Sequence, residues 1–124
     1  MNTTPEKQET VVTIDATGRS IGRVATEAAE VLRGKNTADF SKNRIAGAPV
    51  HITNASQVNI SSQRKMLGKV YVRYSGYPGG QKKETLKEVA EKKGYSEAVR
   101  RAIYGMLPGN KLRPRIMKRL TISE

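Results

Sequence analysis

Residues 10–34 read TVVTIDATGRSIGRVATEAAEVLRG, and this stretch decides the fold. Its first five residues, Thr10 to Ile14, are all β-branched and predict a strand. After a short turn, apolar residues recur at helical spacing from about Ser20 until Gly34, a residue type that commonly ends helices. This apolar stripe consists of Ile21, Val24, Ala25, Ala28, Val31 and Leu32. A strand that leads directly into an amphipathic helix predicts an α/β fold.

The remainder of the chain continues the alternation of strands and helices. Further strands are predicted at Val50–Thr53, with 57–60 as its continuation, at Lys69–Tyr74 and at Leu120–Ile122. Further helices are predicted from the capping pair Thr85 and Glu88 to Gly94, from Ser96 to Leu107, and from Pro114. Because Lys69–Tyr74 alternates apolar and basic residues, we expect one face of that strand to lie on the core. The whole pattern favours an α/β sandwich with a largely parallel sheet.

Composition makes nucleic acid the leading candidate for a partner. The chain has 124 residues, with 23 basic against 11 acidic side chains and a net charge of +12. Such an excess repels itself and is tolerated when a polyanion neutralises it. The length predicts a single domain, which we place at 11–124 after a flexible polar segment at 1–10. No apolar run approaches the length of a membrane span, and the absence of cysteine fits a cytoplasmic protein.

The positive charge is concentrated in two blocks without any acidic residue. Residues 64–83 hold six basic side chains, and residues 100–119 hold seven. The intervening segment 84–97 has a net charge of −1. Charge that serves only solubility is normally interspersed with both signs. The two blocks therefore predict a binding surface for an anionic partner.

The segment 69–83 combines this charge with rings and glycines, because it holds three tyrosines and three glycines among its basic residues. Tyr74 and Tyr77 are candidates for stacking on an unpaired base or ribose, or else they pack the turn onto the domain. The glycines at 76, 79 and 80 let backbone N–H groups approach phosphates, or they serve turn geometry alone. Both interpretations remain open at this level.

Enzyme chemistry has little support in the sequence. The chain has one histidine, His51, and two aspartates, and it shows no spacing of metal ligands. His51 lies in an apolar strand context, where a structural role is more common than a catalytic one. The turn Gly18–Gly22 does not match a phosphate-loop motif. The helix N-terminus beside Arg19 and Arg23 either holds an RNA phosphate or is an ordinary strand-to-helix turn. We therefore predict no catalytic residue, no metal, no cofactor and no small-molecule substrate.

Three strings resemble a known family. They are Val12–Ala16 with Gly18 and Ile21–Ala25, then Lys69–Gly80, and then Gly105–Pro108 followed by Asn110, Leu112 and Arg119-Leu120. Their order and spacing are similar to those of the bacterial-type large-subunit ribosomal protein thirteen (L-thirteen family) over residues 11–123. The chain departs from the family pattern at Arg113-Pro114, where Gly-Arg is usual, and at Val11, which replaces a tryptophan.

The resemblance implies a three-layer α/β/α sandwich around a mainly parallel four-stranded sheet. It also implies a structural constituent of the large ribosomal subunit that binds large-subunit rRNA early in assembly, beside neighbouring ribosomal proteins and in the cytoplasm. Three alternatives remain on the residues alone: a free RNA- or DNA-binding regulator, a small enzyme for a phosphorylated substrate, and a membrane-surface binder.

The predicted RNA-binding set joins the basic residues to the segment with rings and glycines. It comprises Arg19, Arg23, Lys35, Lys69, Arg73, Tyr74, Ser75, Gly76, Tyr77, Gly79, Gly80, Lys82, Lys83, Lys111, Arg113, Arg115, Lys118 and Arg119. Each cation that neutralises a phosphate releases counterions, so we expect the affinity to fall steeply with salt.

Overall fold

A computed structural model of the chain describes residues 10–35, 38, 47–60 and 68–124. Its elements in chain order are β1 (Val12–Asp15), α1 (Ile21–Arg33), β2 (Val50–Thr53), a short 3-10 helix (Ala55–Gln57), β3 (Val70–Tyr74), β4 (Gln81–Thr85), α2 (Leu86–Lys93), α3 (Tyr95–Met106), α4 (Arg113–Met117) and β5 (Leu120–Ile122). The predicted flexible segment 1–10 lies outside the described residues, apart from Thr10.

A parallel sheet forms the centre of this mixed α/β fold. Its strands lie in the order β1-β2-β5, and β2 pairs in parallel with both neighbours. Val50 at the start of β2 lies opposite Val12 on one side and Leu120 on the other. The predicted parallel sheet is thereby confirmed. The predicted count of four strands is wrong for the described part of the chain, where the sheet has three.

The segment predicted to supply the fourth strand forms a hairpin instead. β3 pairs antiparallel with β4, a strand that the sequence interpretation missed because Gln81–Thr85 is wholly polar. The connecting turn is short and contains Gly76 and Gly79 at φ of 87° and 73°. A tight turn joins antiparallel neighbours, whereas a parallel pairing needs a crossover of a dozen or more residues. The short turn therefore excludes a parallel pairing between β3 and β4.

Helix α1 begins and ends where its sequence predicted. The Ser20 Oγ accepts a hydrogen bond from the backbone N–H of Arg23 at 3.4 Å, which caps the first turn. Gly34 closes the helix in the left-handed conformation, with φ of 76°. The side chains of the predicted stripe are buried at Val24, Ala25, Ala28 and Leu32.

One hydrophobic core joins the sheet to helices α1 and α3. It combines Ile14 of β1 and Ile52 of β2 with the stripe of α1 and with Val99 and Ile103 of α3. Because these side chains come from elements distant in the sequence, their burial holds α3 in a defined position. No helix in the described ranges is long and apolar enough to cross a bilayer.

Helix α3 starts at a junction that only glycine suits. Gly94 has φ of 82° and ψ of 170°, a backbone region that L-residues rarely occupy. A Cβ on Gly94 would overlap the side-chain carboxylate of Glu124. That carboxylate accepts a hydrogen bond from the Ser96 backbone N–H at 3.1 Å. Glu124 thus satisfies one of the unpaired donors in the first turn of α3.

The substitution Gly94→Ala is expected to destabilise the protein by about 1–3 kcal/mol, because it adds backbone strain and displaces the Glu124 carboxylate. Gly105→Ala is the matched control, because no described atom lies within 4 Å of a Cβ built at this helical position. It is expected to stabilise by up to about 1 kcal/mol through helix propensity. Urea unfolding of both variants measures the effects, and equal changes in the two would contradict this account.

A hydrogen-bonded turn follows β1 and lowers the pKa of Asp15. The carboxylate Oδ1 accepts hydrogen bonds from the Thr17 hydroxyl at 2.7 Å, the Thr17 backbone N–H at 3.0 Å and the Asn54 side-chain amide at 3.2 Å. These donors favour the charged form, so the pKa of Asp15 lies below its ordinary value of 3.8. The turn and β2 are joined through Asn54.

Stability is therefore expected to depend on the ionisation of Asp15. A carboxyl whose folded-state pKa is depressed contributes stability above its unfolded pKa, and the contribution disappears as the pH falls through the folded pKa. Asp15→Ala is expected to be less stable than the parent protein at pH 7. The difference should shrink below pH 3.8, in urea unfolding followed by circular dichroism from neutral to acidic pH. A difference that stays constant with pH would contradict the assignment.

Candidate nucleic-acid interface

The β3–β4 hairpin places two cations side by side. Arg73 lies directly opposite Lys82 in the antiparallel register, so the two side chains project from the same face. Tyr71 and its partner Glu84 share that face. Like charges that lie opposite each other destabilise a strand pair. An anion between Arg73 and Lys82 would relieve this repulsion.

The opposite face of the hairpin carries apolar side chains and only one cation. Val70 and Val72 are 43% and 58% exposed, and Tyr74 is 64% exposed. The expectation that the apolar face of this strand lies on the core is therefore wrong. Lys83 lies opposite Val72 and projects from this same face. The register of the hairpin thus separates Lys83 from Lys82, its neighbour in sequence.

A groove of about 810 Å³ lies between the hairpin and the helices α3 and α4. Its lining includes Arg73 and Lys82 of the hairpin, Val70 and Val72 of β3, Tyr104 of α3 and Met117 of α4. Six cations line it, namely Lys69, Arg73, Lys82, Arg100, Arg101 and Lys118, against the two carboxylates Glu84 and Glu97. The two acid-free blocks of the sequence therefore meet in one concave, positive surface, which raises the local concentration of an anionic partner.

A stack of charged and aromatic groups anchors the hairpin to α3. The guanidinium of Arg101 lies 4.7 Å from the centre of the Tyr71 ring, and the Lys69 ammonium lies 5.6 Å from it. Arg101 donates a hydrogen bond to the Glu97 carboxylate at 3.2 Å. Burial raises the pKa of Tyr71 although the Arg101 charge acts in the opposite direction. The phenol therefore remains a neutral hydrogen-bond donor at the edge of the groove.

A second stack fixes α4 against α3. The Arg113 guanidinium lies 3.9 Å from the centre of the Tyr104 ring, and Tyr104 remains 44% exposed. Pro114 follows in the first turn of α4, where its missing N–H has no helical partner to lose. In the pair Arg113-Pro114, which departs from the family pattern, Pro114 lines the groove and Arg113 packs on Tyr104 beside it. A stacked guanidinium keeps edge N–H groups for a phosphate.

The predicted residues around α1 do not converge on the groove, because none of them lines it. Arg19 forms an ion pair with Glu27 at 2.6 Å. Arg23 lies exposed in the first turn of α1, and Lys35 follows its last turn. At 1.5 Å per residue these two positions are about 18 Å apart along the helix. These basic residues around α1 therefore do not form one binding site.

The remaining predicted residues lie at the hairpin turn and around α4. Tyr77 at the turn is 74% exposed, beside Ser75, Gly76, Gly79 and Gly80. A Cβ on Gly80 would overlap the Ser75 Oγ and crowd the Tyr77 carbonyl oxygen, so the turn favours glycine at this position. The last three are Lys111 and Arg115, both exposed, and Arg119, which is half-buried.

Sequence reasoning missed several residues that line the groove: Tyr71, Glu84, Arg100, Arg101 and Tyr104. At 100° per residue, Arg100, Arg101 and Tyr104 fall on the helix face opposite the apolar stripe, but this pattern does not indicate which surface they meet. The acid-free block 100–119 was the available signal. The lone histidine, His51, lies on the central strand β2, and its Nε2 lies 3.1 Å from the Ser123 Oγ.

A small α/β fold with a net charge of +12 and a cation-lined groove is typical of proteins that bind polyanions. Comparison with known families is more specific. The chain belongs to the family Ribosomal protein L13, whose model matches residues 9–124. The family resemblance seen in the three strings is thereby confirmed. Membership in this structural ribosomal family also confirms that the chain is not an enzyme.

Individual relatives support the same family. The chain is 42% identical over 110 residues to the large ribosomal subunit protein uL13 of Clostridioides difficile, covering 88% of this chain and 75% of the relative. It is 41% identical over 109 residues to uL13 of Geobacter sp., with the same coverage. It is 40% identical over 111 residues to uL13 of Thermus thermophilus, covering 90% of this chain and 78% of the relative.

The Tyr71 stack is expected to determine how firmly the hairpin is held. Tyr71→Ala removes the ring between Arg101 and Lys69 and should lower the local opening free energy of β3 and β4 by about 1–2 kcal/mol. Faster hydrogen exchange confined to these strands would show it. Tyr74→Ala is the matched control, because its ring projects from the exposed face of the same strand. Equal exchange in both variants would contradict an anchoring role for Tyr71.

Proposed function

We propose that this chain is a structural constituent of the large ribosomal subunit that binds large-subunit rRNA through its basic groove. The observation that carries the proposal is the pair Arg73 and Lys82, which lie directly opposite each other and face the groove. Neither cation takes part in the ion pairs found among the described residues, which join Arg19 to Glu27 and Arg101 to Glu97. Such a pair suits a phosphate group that both cations contact.

The groove supplies the principal phosphate contacts in this proposal. Lys69 and Lys118 of the predicted set line it, and Arg100 adds a cation from α3. The turn residues from Ser75 to Gly80 and the exposed cations Lys83, Lys111 and Arg115 extend the contact surface beyond the groove. Arg19, Arg23 and Lys35 would touch separate parts of the RNA, because α1 holds them apart. Such a spread of contacts suits a folded RNA better than a short linear segment.

The wider role follows from family membership. The relatives are named large ribosomal subunit proteins, and we propose the same location for this chain, in cytoplasmic ribosomes beside neighbouring proteins of that subunit. Early action in subunit assembly is part of the proposal, since a compact basic protein stabilises folded RNA by neutralising phosphates. We also propose that residues 11–124 form a single domain, with helices on both sides of the sheet as a three-layer sandwich.

Replacing Arg73, Lys82 and Lys83 together with alanine is expected to weaken binding to large-subunit rRNA. Loss of three phosphate contacts should lower the slope of log affinity against log salt by about two to three units. The matched control replaces Lys87, Lys92 and Lys93, three exposed lysines of α2 that lie outside the groove. Filter binding over a salt series measures both. Equal affinities of the two triple variants at every salt concentration would overturn the proposed surface.

The same variants distinguish a ribosomal constituent from a free regulator. A ribosomal constituent co-sediments with the large subunit at about one copy per particle through a high-salt wash. The Arg73, Lys82 and Lys83 triple variant should be depleted from that fraction. Recovery of the unaltered protein only at the top of the gradient, with ribosomes intact, would reject the ribosomal role. Circular dichroism confirms that each variant is folded, so that loss of binding is not loss of structure.

A further inference from the structure

We propose that the groove binds an unpaired RNA strand and that Glu84 selects among its bases. This inference rests on the proposed RNA-binding function and specifies the form of RNA that the groove accepts. It concerns three features of the groove lining: the opposed cations Arg73 and Lys82, the exposed ring of Tyr104, and the acidic residue Glu84.

The size of the groove suits one or two nucleotides. Its volume of about 810 Å³ falls within the range of roughly 300–1,000 Å³ typical of pockets that enclose small ligands. A duplex is recognised from outside, through its phosphates and 2′-hydroxyls, and it keeps the faces of its bases stacked on one another. A strand that enters a concave site must therefore be unpaired.

Beyond its packing role, an exposed aromatic ring in the lining can stack only on a base whose face is accessible. Tyr104 lines the groove and is 44% exposed, and the Arg113 guanidinium, which lies outside the lining, packs 3.9 Å from the centre of its ring. Rings and guanidinium planes stack on exposed bases, and this contact tolerates any base. The cations Arg73 and Lys82 on the facing hairpin are placed for the phosphate of the same strand.

The presence of the acidic residue Glu84 in the lining is not explained if the groove binds only phosphate groups. Its carboxylate lies in the lining, opposite Tyr71 and next in sequence to the cation Lys83. Unlike Glu97, which accepts a hydrogen bond from Arg101, the Glu84 carboxylate makes no side-chain hydrogen bond or ion pair with the described residues. A carboxylate repels phosphate but accepts a hydrogen bond from an exocyclic amino group such as N4 of cytosine. Uracil presents a carbonyl oxygen at the same position and would be repelled.

The groove is therefore expected to prefer cytidine to uridine in a single strand. The experiment measures the affinity of the full chain for oligocytidylate, oligouridylate and a mixed-sequence RNA duplex, all of equal length and at one salt concentration. We expect oligocytidylate to bind about fivefold more tightly than oligouridylate. Glu84→Gln should remove this preference, because an amide offers both a donor and an acceptor. Glu91→Gln, an exposed change of equal charge on α2, should leave the preference intact.

The stacking of bases on Tyr104 is tested by a separate pair of variants. Tyr104→Leu should lower the affinity for both single-stranded RNAs by about fivefold or more, while the affinity for the duplex stays unchanged. Tyr104→Phe keeps the ring and should bind like the parent protein. Because the readouts are ratios between probes, a partly destabilised variant still gives an interpretable result.

Two results would overturn the inference: equal affinity for oligocytidylate and oligouridylate, or equal effects of Tyr104→Leu on single strands and duplex. Either could occur while the Arg73, Lys82 and Lys83 triple variant still loses rRNA binding, and the proposed function would then stand without base selection. If that triple variant retained full rRNA binding, the proposed function itself would fail.

Discussion

The packing of α1 against α3 is the contact on which the rest of the structure depends. Small side chains at Ala25 and Ala28 let the two helices approach closely, and Val99 and Ile103 fill the interface from α3. With its inner face buried, α3 can only present Arg100, Arg101 and Tyr104 outward. The hairpin docks on Arg101 through Tyr71, and α4 docks on Tyr104 through Arg113. The groove is therefore a consequence of where α3 is held.

Electrostatics act against the folded state and in favour of the complex. The chain carries a net charge of +12, and the groove gathers six cations from elements that are distant in sequence. Self-repulsion of this kind reduces the stability of the free protein and is relieved when a polyanion binds. One of these cations, Arg101, is neutralised within the protein, because the Glu97 carboxylate pairs with its guanidinium beside the Tyr71 ring. Arg73 and Lys82 instead face each other, which suits an external partner.

Family membership and physical reasoning contribute different parts of the interpretation. The match to the family Ribosomal protein L13 establishes the kind of protein, which charge and fold alone do not, because one fold serves many functions. The geometry then shows how this particular chain uses its own residues. Arg113-Pro114 departs from the usual family pattern, yet proline fits the first turn of α4 and arginine stacks on Tyr104. The departure is accommodated locally, without disturbing the last strand.

The sequence by itself determined the features that depend on neighbours in the chain. Ser20 and Gly34 delimit α1 because caps act within one turn, and the apolar stripe between them identifies the buried face. The family strings and the unbalanced charge likewise required no coordinates. Tertiary structure alone decided the pairing of β3 with the polar strand β4, the opposite faces of Lys82 and Lys83, and the convergence of Tyr71 with Arg101. These three features depend on strand register and on contacts between segments that are distant in the sequence. Such contacts are selected by packing and charge, and not by the preferences of neighbouring residues.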